Sequence, residues 1–231
     1  FGCGRVIRSF LGETDLFSAK LPCLRDIPYK MTAEDVKNRV TEHLAKLPYV
    51  MWENQFNLFD SHDCSRLHNN PRVHPEEYRG AVIFQFLLTG APSIYYGDEA
   101  GADGTLDSME GCRYPMPWDK DFQKGETYKL YQTMARLKRE YKALRSGGMK
   151  FLCTEGRVLA IARFCGDEVF VGVISGEERD VTIRLPLGAV GAKRPKREIF
   201  GSELEFSEAG SRAVELTVKA HRAYFMECEL L

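Results

Sequence analysis

Apolar residues in the first part of the chain recur at helical spacing in some stretches and cluster in short runs in others. Val6, Ile7, Phe10 and Leu11 share one face of a short helix over 4–12, closed by Gly12. Val36, Val40, Leu44 and Leu47 form the stripe of a second helix, which opens at Thr32 with Asp35 in a capping-box pattern and stops at Pro48. Between these two, Glu13 to Tyr29 contains Pro22 and Pro28 and reads as an irregular connection. Trp52 to Phe59 predicts a buried strand through Phe56, Leu58 and Phe59, and Pro92 to Tyr96 predicts another. The helix between the strands starts at Pro75-Glu76-Glu77, with proline early and acids in the first turn. Its body, Ala81 to Leu88, is apolar nearly all round, which predicts burial on every side; Thr89-Gly90-Ala91-Pro92 ends it. Leu130, Met134, Leu137, Tyr141 and Leu144 predict a long helix over 127–144, closed by Gly147-Gly148.

Beyond Met149 the period shortens. Val158 to Phe164, Val169 to Ile174, Val181 to Leu185, Arg197 to Phe200, Val214 to Val218 and Ala223 to Cys228 are β-branched and aromatic runs. Turn pairs such as Gly166-Asp167 and Ser175-Gly176 separate them, and strands at this spacing predict an antiparallel β-sandwich. The expected division is therefore 1–148, where strands and helices alternate as in a parallel α/β unit, and 149–231, a β-domain. A closed barrel of alternating strands and helices needs eight strands and about 250 residues. The first unit holds only part of one.

Composition narrows the partners. Of 231 residues, 44% are hydrophobic and 28% charged, enough apolar material for a core. The 32 basic and 33 acidic residues leave a formal charge of -1, which offers no pull toward nucleic acid or an acidic membrane. The basic run Lys193-Arg194-Pro195-Lys196-Arg197 reads as a solvated loop. The 7 cysteines are scattered, with no C-x-x-C pair, as expected of a reduced intracellular chain without structural zinc. No apolar run approaches the length of a membrane helix, and the opening Phe1-Gly2-Cys3-Gly4-Arg5 is not a signal peptide. A start at Phe1 rather than Met reads as the interior of a longer, cytoplasmic protein.

The candidate chemistry lies where the first strand ends, at Asp60-Ser61-His62-Asp63-Cys64-Ser65-Arg66. In barrel enzymes the active site sits at the C-terminal ends of the strands, although Ser61 and Asp63 are also common turn formers. The second strand likewise runs into ionisable residues, Gly97-Asp98-Glu99. After it comes Gly97 to Asp119, a loop of the length that is usually functional or mobile, containing Gly111-Cys112-Arg113-Tyr114-Pro115-Met116-Pro117-Trp118-Asp119.

The strings Asn57-Leu58-Phe59-Asp60-Ser61-His62-Asp63, Ile94-Tyr95-Tyr96-Gly97-Asp98-Glu99 and Cys112 to Asp119, in this order, resemble the C-terminal part of the alpha-amylase superfamily, glycoside hydrolase family 13. The likeness is greatest to its neopullulanase, cyclomaltodextrinase and alpha-glucosidase branch. The resemblance implies the last two strands of a (β/α)8 TIM barrel followed by a C-terminal antiparallel β-sandwich. It matches Asp63 to the last of three catalytic carboxylates, the one that contacts ring hydroxyls at the cleavage point, and His62 to a residue assisting it. Retaining glycosidases need a nucleophile and an acid/base about 5 Å apart, and hydrogen bonds to the sugar 2-hydroxyl strengthen in the transition state. The resemblance assigns that pair to strands preceding Phe1, so the chain alone is expected to be inactive.

Arg66 is assigned to substrate binding, by orienting Asp63 or touching sugar, with a structural ion pair as the alternative. The resemblance implies that the stretch with Asp98 and Glu99 lines the back of the site, where a structural role is expected over a catalytic one. Arg113 and Trp118 are expected to shape their loop, Trp118 as a core or loop-anchor residue rather than a sugar platform. His68 and His74 read as loop histidines without partners at ligand spacing, and His43 and His221 as structural. No cofactor is implied, and the acidic stretch Asp103 to Glu110 lacks the calcium-loop pattern, so no metal is expected. The implied partners are an alpha-glucan oligosaccharide or polysaccharide, the N-terminal part of the barrel, and a further copy of the chain through the unpaired barrel edge. The competing reading is a non-catalytic carbohydrate-binding or scaffold module. It is weakened by the absence of tryptophan, the best stacking residue, from 149–231. A transporter-associated relative is a third.

Overall fold

A computed structural model of the chain describes residues 2–12, 31–105, 109–118, 121–210 and 212–231. The irregular connection expected over Glu13 to Tyr29, the acidic-loop residues 106–108 and Asp119 lie outside the described residues. The first part runs α1 (Gly2–Phe10), α2 (Ala33–Ala45), α3 (Tyr49–Glu53), β1 (Phe56–Asn57), α4 (Pro75–Leu87), β2 (Ala91–Pro92), α5 (Glu126–Glu140) and α6 (Lys142–Ser146). β1 and β2 pair in parallel, Phe56 opposite Ala91 and Asn57 opposite Pro92, with α4 as the crossover.

The expected capping box is present at α2, where the Thr32 hydroxyl accepts from the Asp35 N–H and Asp35 accepts from the Thr32 N–H. α4 is buried nearly all round, as its composition requires. It carries a second capping box at His74 and Glu77, with an imidazole nitrogen in place of a hydroxyl. Its C-terminal carbonyls meet cations: Lys138 donates to Phe86 O (2.9 Å) and Leu88 O (3.1 Å), and Arg163 to Leu87 O (2.8 Å).

Eight further strands follow, β3 (Gly148–Glu155), β4 (Val158–Cys165), β5 (Glu168–Ser175), β6 (Val181–Leu185), β7 (Ala192–Glu198), β8 (Glu205–Glu208), β9 (Val214–Val218) and β10 (Ala223–Leu230). They form a five-stranded sheet ordered β3-β4-β5-β10-β7 and a three-stranded sheet ordered β6-β9-β8, antiparallel throughout. The larger sheet is a middle layer. Val158, Ala160, Val171, Tyr224 and Met226 face Ile183, Leu185 and Leu216 of the smaller sheet, while Leu159, Ile161, Phe170, Ile174 and Phe225 face the helices. This double covering explains why β4 and β5 read as continuous apolar runs rather than alternating ones. Gly80 on α4 and Gly172 on β5 let helix and sheet approach closely. A Cβ on Gly80 would sit 2.6 Å from Ile174 Cγ2, and one on Gly172 would overlap Leu87.

Several expectations are corrected. The strand of Trp52 to Phe59 is only Phe56–Asn57, because Pro48 caps a new helix that takes up Trp52. Phe56 itself is 72% exposed rather than buried. The second strand starts at Ala91 and is equally short. The helix over 127–144 breaks at Tyr141, whose backbone turns extended (φ -98, ψ 128) and whose ring packs on Phe170 at 4.7 Å. The basic run is strand β7 rather than a loop. It lies at a sheet edge, where Pro195 costs no interior ladder bond, and Arg194, Lys196 and Arg197 pair with Glu229 and Glu227 of β10. The strands β3 and β8 were not anticipated.

Candidate active site

The loop after β1 is shaped by a carboxylate that does not reach solvent. Asp60 is buried, accepts the Leu67 N–H at 3.0 Å and pairs with Arg8. Arg8 also donates to Phe59 O (3.0 Å) and Ser65 O (2.6 Å), so one guanidinium clasps both ends of the turn. Within it the Ser61 N–H meets Cys64 Sγ (3.2 Å) and the Asp63 N–H donates to Ser61 Oγ (3.2 Å). With both ends anchored inward, the middle of the turn is pushed out. The Asp63 side chain is 60% exposed and the His62 side chain 56%, with His62 Nε2 3.3 Å from Asp63 Oδ1.

The three sequence strings converge here. Arg66 follows the turn and is fully buried, its guanidinium bonded to Asp98 Oδ1 (2.5 Å) and Tyr96 O (2.7 Å) and lying over the Tyr95 and Tyr96 rings at 4.8 and 5.5 Å. It therefore presents no surface to a ligand and ties the first string to the second. Tyr95 Oη donates to Cys112 O (2.8 Å) and Tyr96 Oη to Tyr114 O (2.9 Å), which holds the third string in place. Cys112 Sγ closes the triangle on Cys64 O at 2.7 Å. The result is that Arg113, expected only to shape its loop, stands with Nη2 3.9 Å from Asp63 Oδ1 and 57% exposed. Its position in the compact string was the available signal.

Asp98 is buried beneath the turn against Arg66, and its environment is unusual. Burial pushes its carboxyl well above the usual carboxylate range, the adjacent Asp60 adds to this, and Arg66 opposes it. Asp60 is shifted upward for the same reason, against Arg8 and the Leu67 N–H. His68, read as partnerless, lies with Asp60 and Asp98 in a group whose ligand atoms are within 4.8 Å of one another. Burial lowers its pKa, and its Nε2 is 3.0 Å from Ala102 O, which assigns the ring proton to that nitrogen. The guanidinium groups of Arg8 and Arg66 already neutralise these carboxylates, so the donor set fits a metal ion poorly. Trp118 departs most from expectation: it is 76% exposed, neither core nor anchor.

The exposed carboxylate can accept hydrogen bonds from clustered hydroxyls, and the flanking imidazole and guanidinium can donate to them. One carboxylate cannot provide both a nucleophile and an acid/base. The family model for the alpha-amylase catalytic domain matches residues 25–146, over half of the chain, and the chain belongs to that family. Its place is in the neopullulanase and cyclomaltodextrinase branch of glycoside hydrolase family 13. A cyclomaltodextrinase from a Bacillus species is 37% identical over 154 residues, covering 66% of this chain and 27% of the relative. Neopullulanase 2 of Thermoactinomyces vulgaris is 32% identical over 136 residues, 57% of this chain and 23% of the relative. A solved cyclomaltodextrinase structure superposes with a TM-score of 0.77 at 27% identity, covering 99% of this chain and 36% of that one. The native Nostoc punctiforme debranching enzyme, at 22% identity and TM-score 0.79, shares the fold over 97% of this chain and 46% of its own. The chain spans about a quarter of the length of the curated relatives it matches. The fold is thus part of a (β/α)8 barrel joined to a C-terminal β-sandwich. Among the described residues no helix is long and apolar enough to cross a membrane.

Proposed function

We propose that this chain supplies one wall of the active site of a retaining glycoside hydrolase acting on alpha-glucans, with residues 1–148 as the end of its barrel and 149–231 as its β-domain. Asp63 accepts hydrogen bonds from ring hydroxyls of the sugar at the cleavage point, bonds that strengthen as the oxocarbenium-like transition state forms, and His62 supports it. The observation that carries the reading is the convergence of His62 (3.3 Å) and Arg113 (3.9 Å) on Asp63, which stands on an exposed turn fixed from beneath by buried ion pairs. Arg66 serves the site from within, by holding Asp98 and the Tyr96 carbonyl. The nucleophile and acid/base come from other strands of the barrel, which would pack along the exposed flank of β1 and β2.

The test is Asp63→Asn in the longer enzyme that includes this chain, assayed on a maltodextrin and a cyclodextrin. Contacts worth several kcal/mol in the transition state predict a fall in kcat/KM of about a hundredfold or more, since each tenfold is about 1.4 kcal/mol. Activity within about tenfold of wild type would remove Asp63 from this role.

A further inference from the structure

The chain has 2 tryptophans, and the structure uses them differently. Trp52 is half-buried and donates its indole N–H to Leu44 O (2.8 Å) and Leu47 O (3.1 Å), a structural task. Trp118 leaves most of a large apolar ring in water, where it gains little from packing. The segment Tyr114-Pro115-Met116-Pro117-Trp118 has two fixed proline φ angles, the Trp118 N–H closes a tight turn on Met116 O (2.8 Å), and Tyr114 O is held by Tyr96 Oη. Beyond it the rings continue: Phe122 lies 6.1 Å from Trp118, and Tyr128 lies 5.7 Å from Phe122, both half-buried. The same short segment carries Arg113, beside Asp63.

We infer that Trp118 is a stacking platform for a glucose unit of a linear alpha-glucan at some distance from the cleavage point, so that the enzyme favours long chains over short ones. The inference rests on the proposed glucan-hydrolase reading and assigns a further subsite to it. A pyranose ring has an apolar C–H face and a rim of hydroxyls. A flat indole in water matches the apolar face, Arg113 five positions earlier in the same segment offers donors for the hydroxyls, and the two prolines that precede Trp118 lower the entropy cost of holding it for binding. Trp118 touches no reacting atom; it sets chain-length preference.

The experiment compares kcat/KM on maltoheptaose with kcat/KM on maltotriose, using the longer enzyme as wild type, Trp118→Ala and Trp118→Phe. The long-to-short ratio is expected to fall about tenfold in Trp118→Ala, mostly through KM, and to recover partly in Trp118→Phe, which keeps a flat ring. An unchanged ratio overturns the platform, and does so all the more if Trp118→Ala lowers Tm by several degrees, because the ring is then packed by another part of the longer protein. Asp63→Asn separates the two readings: it lowers both substrates alike and leaves the ratio unchanged. An enzyme active on glucans with a ratio indifferent to Trp118 sinks only the platform. An enzyme that turns over neither substrate sinks the proposed function and the platform with it.

Discussion

Asp60 and Asp98 show how a buried pair of acids behaves when it is used to set a surface residue. Each has a guanidinium partner, Arg8 and Arg66 respectively, yet two neighbouring carboxylates out of reach of water resist full ionisation. The folded chain therefore binds a proton at Asp98 more tightly than the unfolded chain does. Stability contributed by this proton is complete below the usual carboxyl value of 3.8 and is lost as pH rises toward the raised folded value. Urea midpoints measured across that window are expected to fall with rising pH in the wild type and to depend on pH less steeply in Asp98→Asn. Equal slopes would show that Asp98 is as ionised in the fold as out of it. At this scale the sequence singled out Asp63 and His62 as candidates through the motif they end, and both stand exposed on the turn. Asp60 and Arg8 stayed hidden, because their meeting spans 52 positions of chain and no local pattern encodes it.

At the scale of elements α4 approaches β5 closely, where Gly172 leaves room for Leu87 and Ile83. Valine favours strands, so Gly172→Val isolates the packing conflict from propensity. Overpacking of this kind costs about 1–3 kcal/mol, and Tm is expected to drop by roughly 2–4 °C for each of them. A Tm equal to wild type in a thermal scan would mean that the helix is free to move away from the sheet. Elements with a strong local period were legible in the sequence: α2 with its capping box, the buried α4, and β6 and β9 to the residue. The misses were decided from far away. Tyr141 leaves the helical path because Phe170 offers its ring a partner, and the basic run becomes a strand because Glu227 and Glu229 face it across a sheet edge. The barrel strands come down to two paired residues each, β1 because the helix capped by Pro48 takes up the chain as far as Glu53.

For the whole molecule, the middle sheet is shared by two cores and laced to the helices by polar ties. Arg157 donates to Phe10 O (2.8 Å), His221 meets Glu77 (2.9 Å), and Arg222 meets Glu76 (3.2 Å). The opposite flank is bare: Phe56, Ile94 and Tyr96 are exposed beside the β1–β2 pair. Such an edge is sticky, and the 231-residue chain is expected to sediment as concentration-dependent oligomers, with Phe56→Asp shifting it toward monomer. Sedimentation velocity that is indifferent to both concentration and this substitution would show the flank to be inert. The sharing of one sheet also bears on how such enzymes diversify. A β-domain whose inner face is cut to the relief of a particular helix, down to the glycines that meet it, is not an interchangeable cassette. Exchange between relatives would succeed when the crossover leaves α4 and β5 together, and would yield ill-fitting hybrids when it falls between them.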